Sequence, residues 1–135
     1  CGWSGDEIMY LKRYGHALGM AFQITDDIMD YRETSDTTGK PVGNDLREGL
    51  LTYPLLSIVN ESNQKQLSQD IKNLYHGGNE QEIIDYVIAQ GGIDNTLRVA
   101  QQYCDDALSA LQSIRDFDGK EFLVLAVQNL ADRKV

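Results

Sequence analysis

Asp26, Asp27 and Asp30 are the residues of this chain best suited to chemistry. On a helix, Asp26 and Asp30 stand at i,i+4 and Asp27 and Asp30 at i,i+3, so three carboxylates share one surface, with Gln23 one turn earlier. Acids near a helix C-terminus oppose the macrodipole, and like charges at this spacing repel, each by a few tenths of a kcal/mol. From Asp26 to Asp36 there are five acids and one base, Arg32. A bound divalent cation removes that penalty. Mg²⁺ suits the set, because it takes hard oxygen donors, keeps several waters and is usually held by one or two carboxylates together with substrate phosphates. An EF-hand does not fit, since Ile28 stands where the calcium loop requires Asp or Asn. Three acids on a helix also describe a solvated face, and the cluster alone does not separate the two readings.

The segment that follows bears on the choice. From Glu33 to Gly49 the apolar periodicity disappears, and a loop of seventeen residues is expected; loops of that length in compact domains tend to be binding loops or lids, or else disordered. Within it Gly39-Lys40-Pro41-Val42-Gly43 sets a lone cation between glycines, about ten residues beyond the carboxylates. Mg²⁺ on carboxylates beside a mobile ammonium is what a diphosphate needs: the metal bridges its oxygens and the lysine neutralises the remainder.

These residues require helices to position them. Ser4 and Glu7 stand at capping-box spacing and open a helix that runs without proline to about Tyr31. Leu11, Tyr14, Leu18, Ala21, Phe22, Thr25 and Ile28 form its apolar stripe, and the acids lie roughly 150° from the centre of that stripe by helical arithmetic. Gly15 and Gly19, each costing roughly 1 kcal/mol against alanine in mid-helix, suggest close approach of another helix or of a ligand. A short helix with Pro54 near its first turn carries Leu55, Leu56, Ile58 and Val59. Leu67, Ile71 and Leu74 mark a helix stopping at Gly77-Gly78. Ile83, Ile84, Val87 and Ile88 mark another, opened by Asn79 with Glu82 and closed by Gly91-Gly92. Leu97, Ala100, Cys104, Ala107, Leu108, Leu111 and Ile114 give a long stripe with Asp94 as N-cap, and Phe122, Leu123, Ala126 and Leu130 a last helix. No strand alternation or fixed-period repeat is present, so the fold class is all-α.

Composition narrows the function classes. A chain of 135 residues is long enough for one domain with a real core. The net charge of −9 argues against a nucleic-acid backbone or an anionic lipid surface as partner. No apolar run reaches the roughly 18 residues of a membrane span. Cys1 and Cys104 form no disulfide framework or zinc pattern; Cys104 reads as a packed thiol, and a reducing, cytoplasmic compartment is expected. His16 and His76 have no ligand spacing and are read as ordinary surface or packing residues.

Phe22-Gln23-Ile24-Thr25-Asp26-Asp27-Ile28-Met29-Asp30-Tyr31, then Gly39-Lys40-Pro41-Val42-Gly43-Asn44-Asp45-Leu46-Arg47-Glu48-Gly49 and Thr52-Tyr53-Pro54-Leu55, closely resembles the second aspartate-rich region of trans-isoprenyl diphosphate synthases. Within that family the chain most resembles the bacterial long-chain polyprenyl diphosphate synthases. Gly91-Gly92-Ile93 and Ala131-Asp132-Arg133-Lys134 also look like that family, so the resemblance covers essentially the whole chain.

The resemblance implies a helical bundle of the isoprenoid synthase type and a Mg²⁺-dependent prenyltransferase that joins isopentenyl diphosphate head to tail to an allylic diphosphate. Carried onto this sequence, it implies Mg²⁺ at Asp26, Asp27 and Asp30, the allylic diphosphate at Lys40, and Gln23 near the reacting allylic carbon. Leu50 stands where the family commonly has a second diphosphate-binding lysine. The family's first aspartate-rich motif is not found here. Residues 1–135 are therefore expected to be the C-terminal portion of a polyprenyl synthetase domain, belonging to an enzyme that is a homodimer at full length and inactive in condensation as these residues alone. A non-catalytic prenyl-synthase-like subunit that binds Mg²⁺ and diphosphate, or regulates a larger partner, is the alternative.

Overall fold

The structure is a computed structural model that describes residues 2–32, 43–74 and 78–133. Its regular elements among those residues are helices: α1 (Gly5–Arg32), α2 (Asn44–Arg47), α3 (Tyr53–Leu56), α4 (Gln64–Leu74), α5 (Glu80–Ala89), α6 (Gly92–Gln112) and α7 (Lys120–Ala131). The all-α expectation holds. None of these helices is long and apolar enough to cross a membrane. Two compact units divide the chain, one of residues 2–25 with 98–133 and one of residues 26–97.

In the first unit, the capping box forms as its spacing requires. The Glu7 N–H donates to Ser4 Oγ at 3.1 Å, and the Ser4 N–H donates back to the Glu7 carboxylate at 2.8 Å. Arg115 reinforces this end, 3.2 Å from Glu7 and with its guanidinium over the Trp3 ring. The core joins Tyr14, Ala17 and Ala21 of α1 to Cys104, Ala107, Leu111 and Ile114 and to Val127 and Leu130. Small residues on α1 let the helices pack closely, and the Tyr14 hydroxyl, carried inside, donates to the Leu123 carbonyl at 3.0 Å. Cys104 is buried and free, as expected of a packed thiol. Burial, with the charge of Asp105 beside it, pushes its pKa up.

The second unit has its own core: Ile28 and Tyr31 of α1 with Leu46, Leu55, Ile58, Leu67, Ile83, Ile84, Val87 and Ile93. Asn79 caps α5 by accepting the Gln81 N–H at 3.1 Å. The start of α6 is a tight fit. A Cβ at Gly92 would stand 2.6 Å from the Pro54 carbonyl oxygen and 2.7 Å from Val87 Cγ1, so only glycine lets these backbones meet.

Several expectations need correction. The covered face of α1 is rotated toward Ala17, Ile24 and Tyr31, which leaves Phe22 exposed; periodicity marks where apolar side chains recur, whereas the partners decide which are covered. Among the described residues a Cβ at Gly15 or Gly19 would meet nothing within 4 Å, so close packing among them does not explain either glycine. The long helix begins at Gly92, two residues before Asp94, which is an acid of its first turn rather than its cap. Residues 44–47, inside the expected loop, form a helical turn whose buried side chain is Leu46; one turn is too short to show a period. Leu56, Val59, Ile88 and Phe122 are exposed. Residues 33–42, with Lys40, and residues 75–77, with His76 and Gly77, lie outside the described residues.

Candidate functional site

The last two turns of α1 carry the three aspartates. With Ile28 and Tyr31 packed inward, helical geometry sets Asp27 at the edge of the covered face and Asp26 and Asp30 on the opposite side. Asp26 is exposed accordingly, and Asp27 is half-buried. Asp30 is half-buried as well, because the chain returning at residue 43 folds over it.

That return is built in three steps. The Gly43 N–H donates to the Asp30 backbone carbonyl at 2.9 Å. Gly43 itself adopts φ +78°, a left-handed conformation that glycine enters without steric cost, and this turns the chain into α2. The first two amides of α2 then meet the Asp30 side chain: Asn44 N–H donates to Oδ1 at 2.9 Å and Asp45 N–H to Oδ2 at 3.2 Å. A helix start has unsatisfied N–H groups and Gly43 has no side chain to cap them, so a carboxylate from α1 takes that part.

Asp27 has a parallel role, since its Oδ2 accepts the Tyr53 N–H at 3.1 Å, at the first residue of α3. Beside it the buried Tyr31 hydroxyl shares a 3.2 Å hydrogen bond with Thr52 Oγ1. Two aspartates of one helix thus receive the N-termini of the two short helices that follow.

Electrostatics follow from this enclosure. Burial pushes the Asp30 carboxyl above the ordinary range and the Asp45 charge adds to the shift, while the two amide hydrogen bonds and Arg47 act the other way. Burial pushes the Tyr31 phenol up to about 12, with Asp30, Asp27 and Asp45 adding in the same direction and the bond to Thr52 opposing them. The phenol is therefore a neutral donor or acceptor at physiological pH.

The donor set fits a hard cation held jointly with another ligand. Each carboxylate oxygen that accepts one N–H keeps a further lone pair. Among the described residues no group of three or more His, Cys, Asp or Glu is placed to hold a metal ion, so Asp26, Asp27 and Asp30 do not form a complete ligand set by themselves. Gln23 is exposed on α1, one turn before Asp26 and Asp27. Lys40 falls outside the described residues. Asn44, Asp45 and Tyr53, assigned no role from sequence, are the residues whose amides hold Asp30 and Asp27; glycine followed by a polar helix start at residues 43–45 is the local signal for such a capped turn.

Comparisons with known proteins identify the family. The model of the polyprenyl synthetase family, "Polyprenyl synthetase", matches residues 1–90, which include the whole cluster. The octaprenyl diphosphate synthase of Escherichia coli is 35% identical over 127 residues, covering 91% of this chain and 39% of that protein. The chain thus spans about two fifths of the length of this curated relative. Among solved structures, the heptaprenyl diphosphate synthase of Staphylococcus aureus superposes with a TM-score of 0.83 at 28% identity, over 98% of this chain and 42% of that one. A polyprenyl synthase from Caulobacter crescentus, complexed with calcium and isoprenyl diphosphate, gives a TM-score of 0.76 at 31% identity, over 98% and 42%. An aspartate-bearing helix whose carboxylates cap the turns after it thus falls where an established family model falls, and the chain belongs to the polyprenyl synthetase family.

Proposed function

We propose that residues 1–135 are the C-terminal portion of a trans-polyprenyl diphosphate synthase, carrying its second aspartate-rich site. The whole protein then condenses isopentenyl diphosphate with an allylic diphosphate, head to tail, and releases diphosphate. The observation that carries this reading is the convergence of Asp27 and Asp30 on the amides of Tyr53, Asn44 and Asp45, within a segment matching the polyprenyl synthetase family. The related Caulobacter protein, solved with calcium and isoprenyl diphosphate, supports a cation and a diphosphate as the ligands. A homodimer at full length and a cytoplasmic location belong to the same reading.

Asp26, Asp27 and Asp30 would hold Mg²⁺ directly or through water. Bound there, the ion supplies positive charge to the diphosphate oxygens as the allylic carbon–oxygen bond breaks. The rest is the work of the chain's own residues. Asn44, Asp45 and Tyr53 fix two carboxylates through backbone hydrogen bonds, so that the negative field is already oriented before substrate arrives. Lys40 binds the allylic diphosphate as a point charge. Gln23, one turn before the aspartates on α1, contacts the substrate near its reacting carbon.

Titration of Mg²⁺ with a diphosphate analogue into the wild-type chain and Asp26→Ala tests the site. Binding by the wild type that weakens at least tenfold in the variant is expected, and equal binding by both would overturn the assignment. Condensation of labelled isopentenyl diphosphate by the purified 135-residue chain would overturn the expectation that it is inactive alone.

A further inference from the structure

We propose that Glu80 is a positioning residue for the carboxylate cluster: together with Arg47 it clamps α2 against the first turn of α5, and α2 in turn holds Asp30. The inference rests on the reading of Asp30 as part of a cation site. Glu80 is distant in sequence from the acidic motif, and neither its residue type nor its helix position suggests a role there.

Three contacts carry the argument, all within residues 26–97. Arg47 Nη1 donates to Glu80 Oε1 at 2.9 Å, joining the last residue of α2 to the first of α5. The opposite end of α2 is pressed on the same surface. A Cβ at Gly43 would stand 2.9 Å from Ile84 Cδ1 and 3.2 Å from Glu80 Cγ, so the left-handed turn lies directly on Glu80 and the residue one turn beyond it. Between these two anchors are Asn44 and Asp45, whose N–H groups donate to the two oxygens of Asp30.

The direction of those two amides is set by the orientation of α2. With only four residues, α2 cannot hold its own conformation in water, because helix nucleation is unfavourable without tertiary support. Its buried Leu46 supplies one such support and the Glu80 contacts supply the others. Glu80 thereby fixes where the Arg47 guanidinium sits as well as where the amides point. The Arg47 and Glu80 side chains are 35% and 29% exposed. Partly exposed pairs change an equilibrium by a factor of about one to five, so the effect is a tuning of the site and leaves the fold intact.

The experiment uses the full 135-residue chain with Glu80→Gln, Arg47→Lys and, as a control, Glu82→Gln, which removes the same charge from the same first turn of α5. Backbone amide exchange at Asn44 and Asp45 is measured by NMR, alongside titration with Mg²⁺ and inorganic diphosphate. Glu80→Gln and Arg47→Lys are expected to speed exchange at both amides and to weaken Mg²⁺ binding about two- to fivefold, with the control unchanged. Arg47→Lys keeps the cation while losing the guanidinium geometry, so a shared effect identifies the clamp rather than net charge. Exchange and affinity in Glu80→Gln equal to those of Glu82→Gln would overturn the inference. So would faster exchange with wild-type Mg²⁺ affinity, which makes the clamp structural only. A wild-type chain that binds no Mg²⁺ overturns the earlier reading of the site instead, and this inference then falls with its metal role even if exchange changes.

Discussion

The carboxylate of Asp30, in the last turn of α1, accepts the backbone N–H of Asn44 at 2.9 Å and so caps a helix that begins fourteen residues later. One side chain is thereby both a structural cap and a candidate cation ligand, which couples the order of residues 43–47 to the site. Asp30→Ala is expected to destabilise the chain by about 1 kcal/mol, the usual cost of a lost N-cap, and Asp30→Asn by less, because the amide oxygen still accepts one N–H. Thermal denaturation of the three proteins checks this, and an Asp30→Ala midpoint equal to wild type would remove the capping role.

The pH dependence of stability has a definite sign at the same residue. Burial and Asp45 raise the Asp30 pKa, so the fold favours its neutral form. That contribution is fully present below the ordinary aspartate value near about 4 and is lost as pH rises through the raised value. In metal-free buffer, Asp30→Asn should therefore compare more favourably with wild type at pH 7 than at pH 3. Mg²⁺ prefers the ionised form, so its affinity should fall as the pH is lowered toward the raised Asp30 pKa. A stability difference independent of pH would contradict the enclosure of Asp30.

The glycines of α1 and α6 should respond oppositely to the same substitution. A methyl at Gly92 meets the Pro54 carbonyl and Val87 at under 3 Å, and Gly92→Ala is expected to cost about 1–3 kcal/mol as an overpacked contact. At Gly19 a methyl meets nothing within 4 Å, so Gly19→Ala should stabilise by up to about 1 kcal/mol through helix propensity. Chemical denaturation of the two variants decides it. Destabilisation by Gly19→Ala would contradict the open space at that position.

Cys104 should resist modification. Its thiol is buried among Ala107, Leu111 and Val127, and both burial and Asp105 keep it protonated. With Cys1 replaced by serine, labelling by a thiol-disulfide reagent should be at least a hundredfold slower in the native chain than in denaturant. Comparable rates would show that this core opens readily.

Local signals in the sequence determined the longer helices and two of their caps. Ser4 and Glu7 are three residues apart and Asn79 immediately precedes its helix, so capping could be read from spacing, and both caps form. The aspartates share a face by helical period alone. The long-range pairings were decided by tertiary structure. The apolar stripe of α1 did not show that Phe22 would be left outside while Ala17, Ile24 and Tyr31 were covered, because that depends on which helices arrive. Nor did the acidic cluster show that two of its members would receive the amides of Asn44, Asp45 and Tyr53. A carboxylate carries no information about which distant N–H it will accept. That partner is chosen when Gly43 turns the chain and the core beneath Leu46 and Leu55 closes, since a helix start left without acceptors would cost more than the repulsion between the acids.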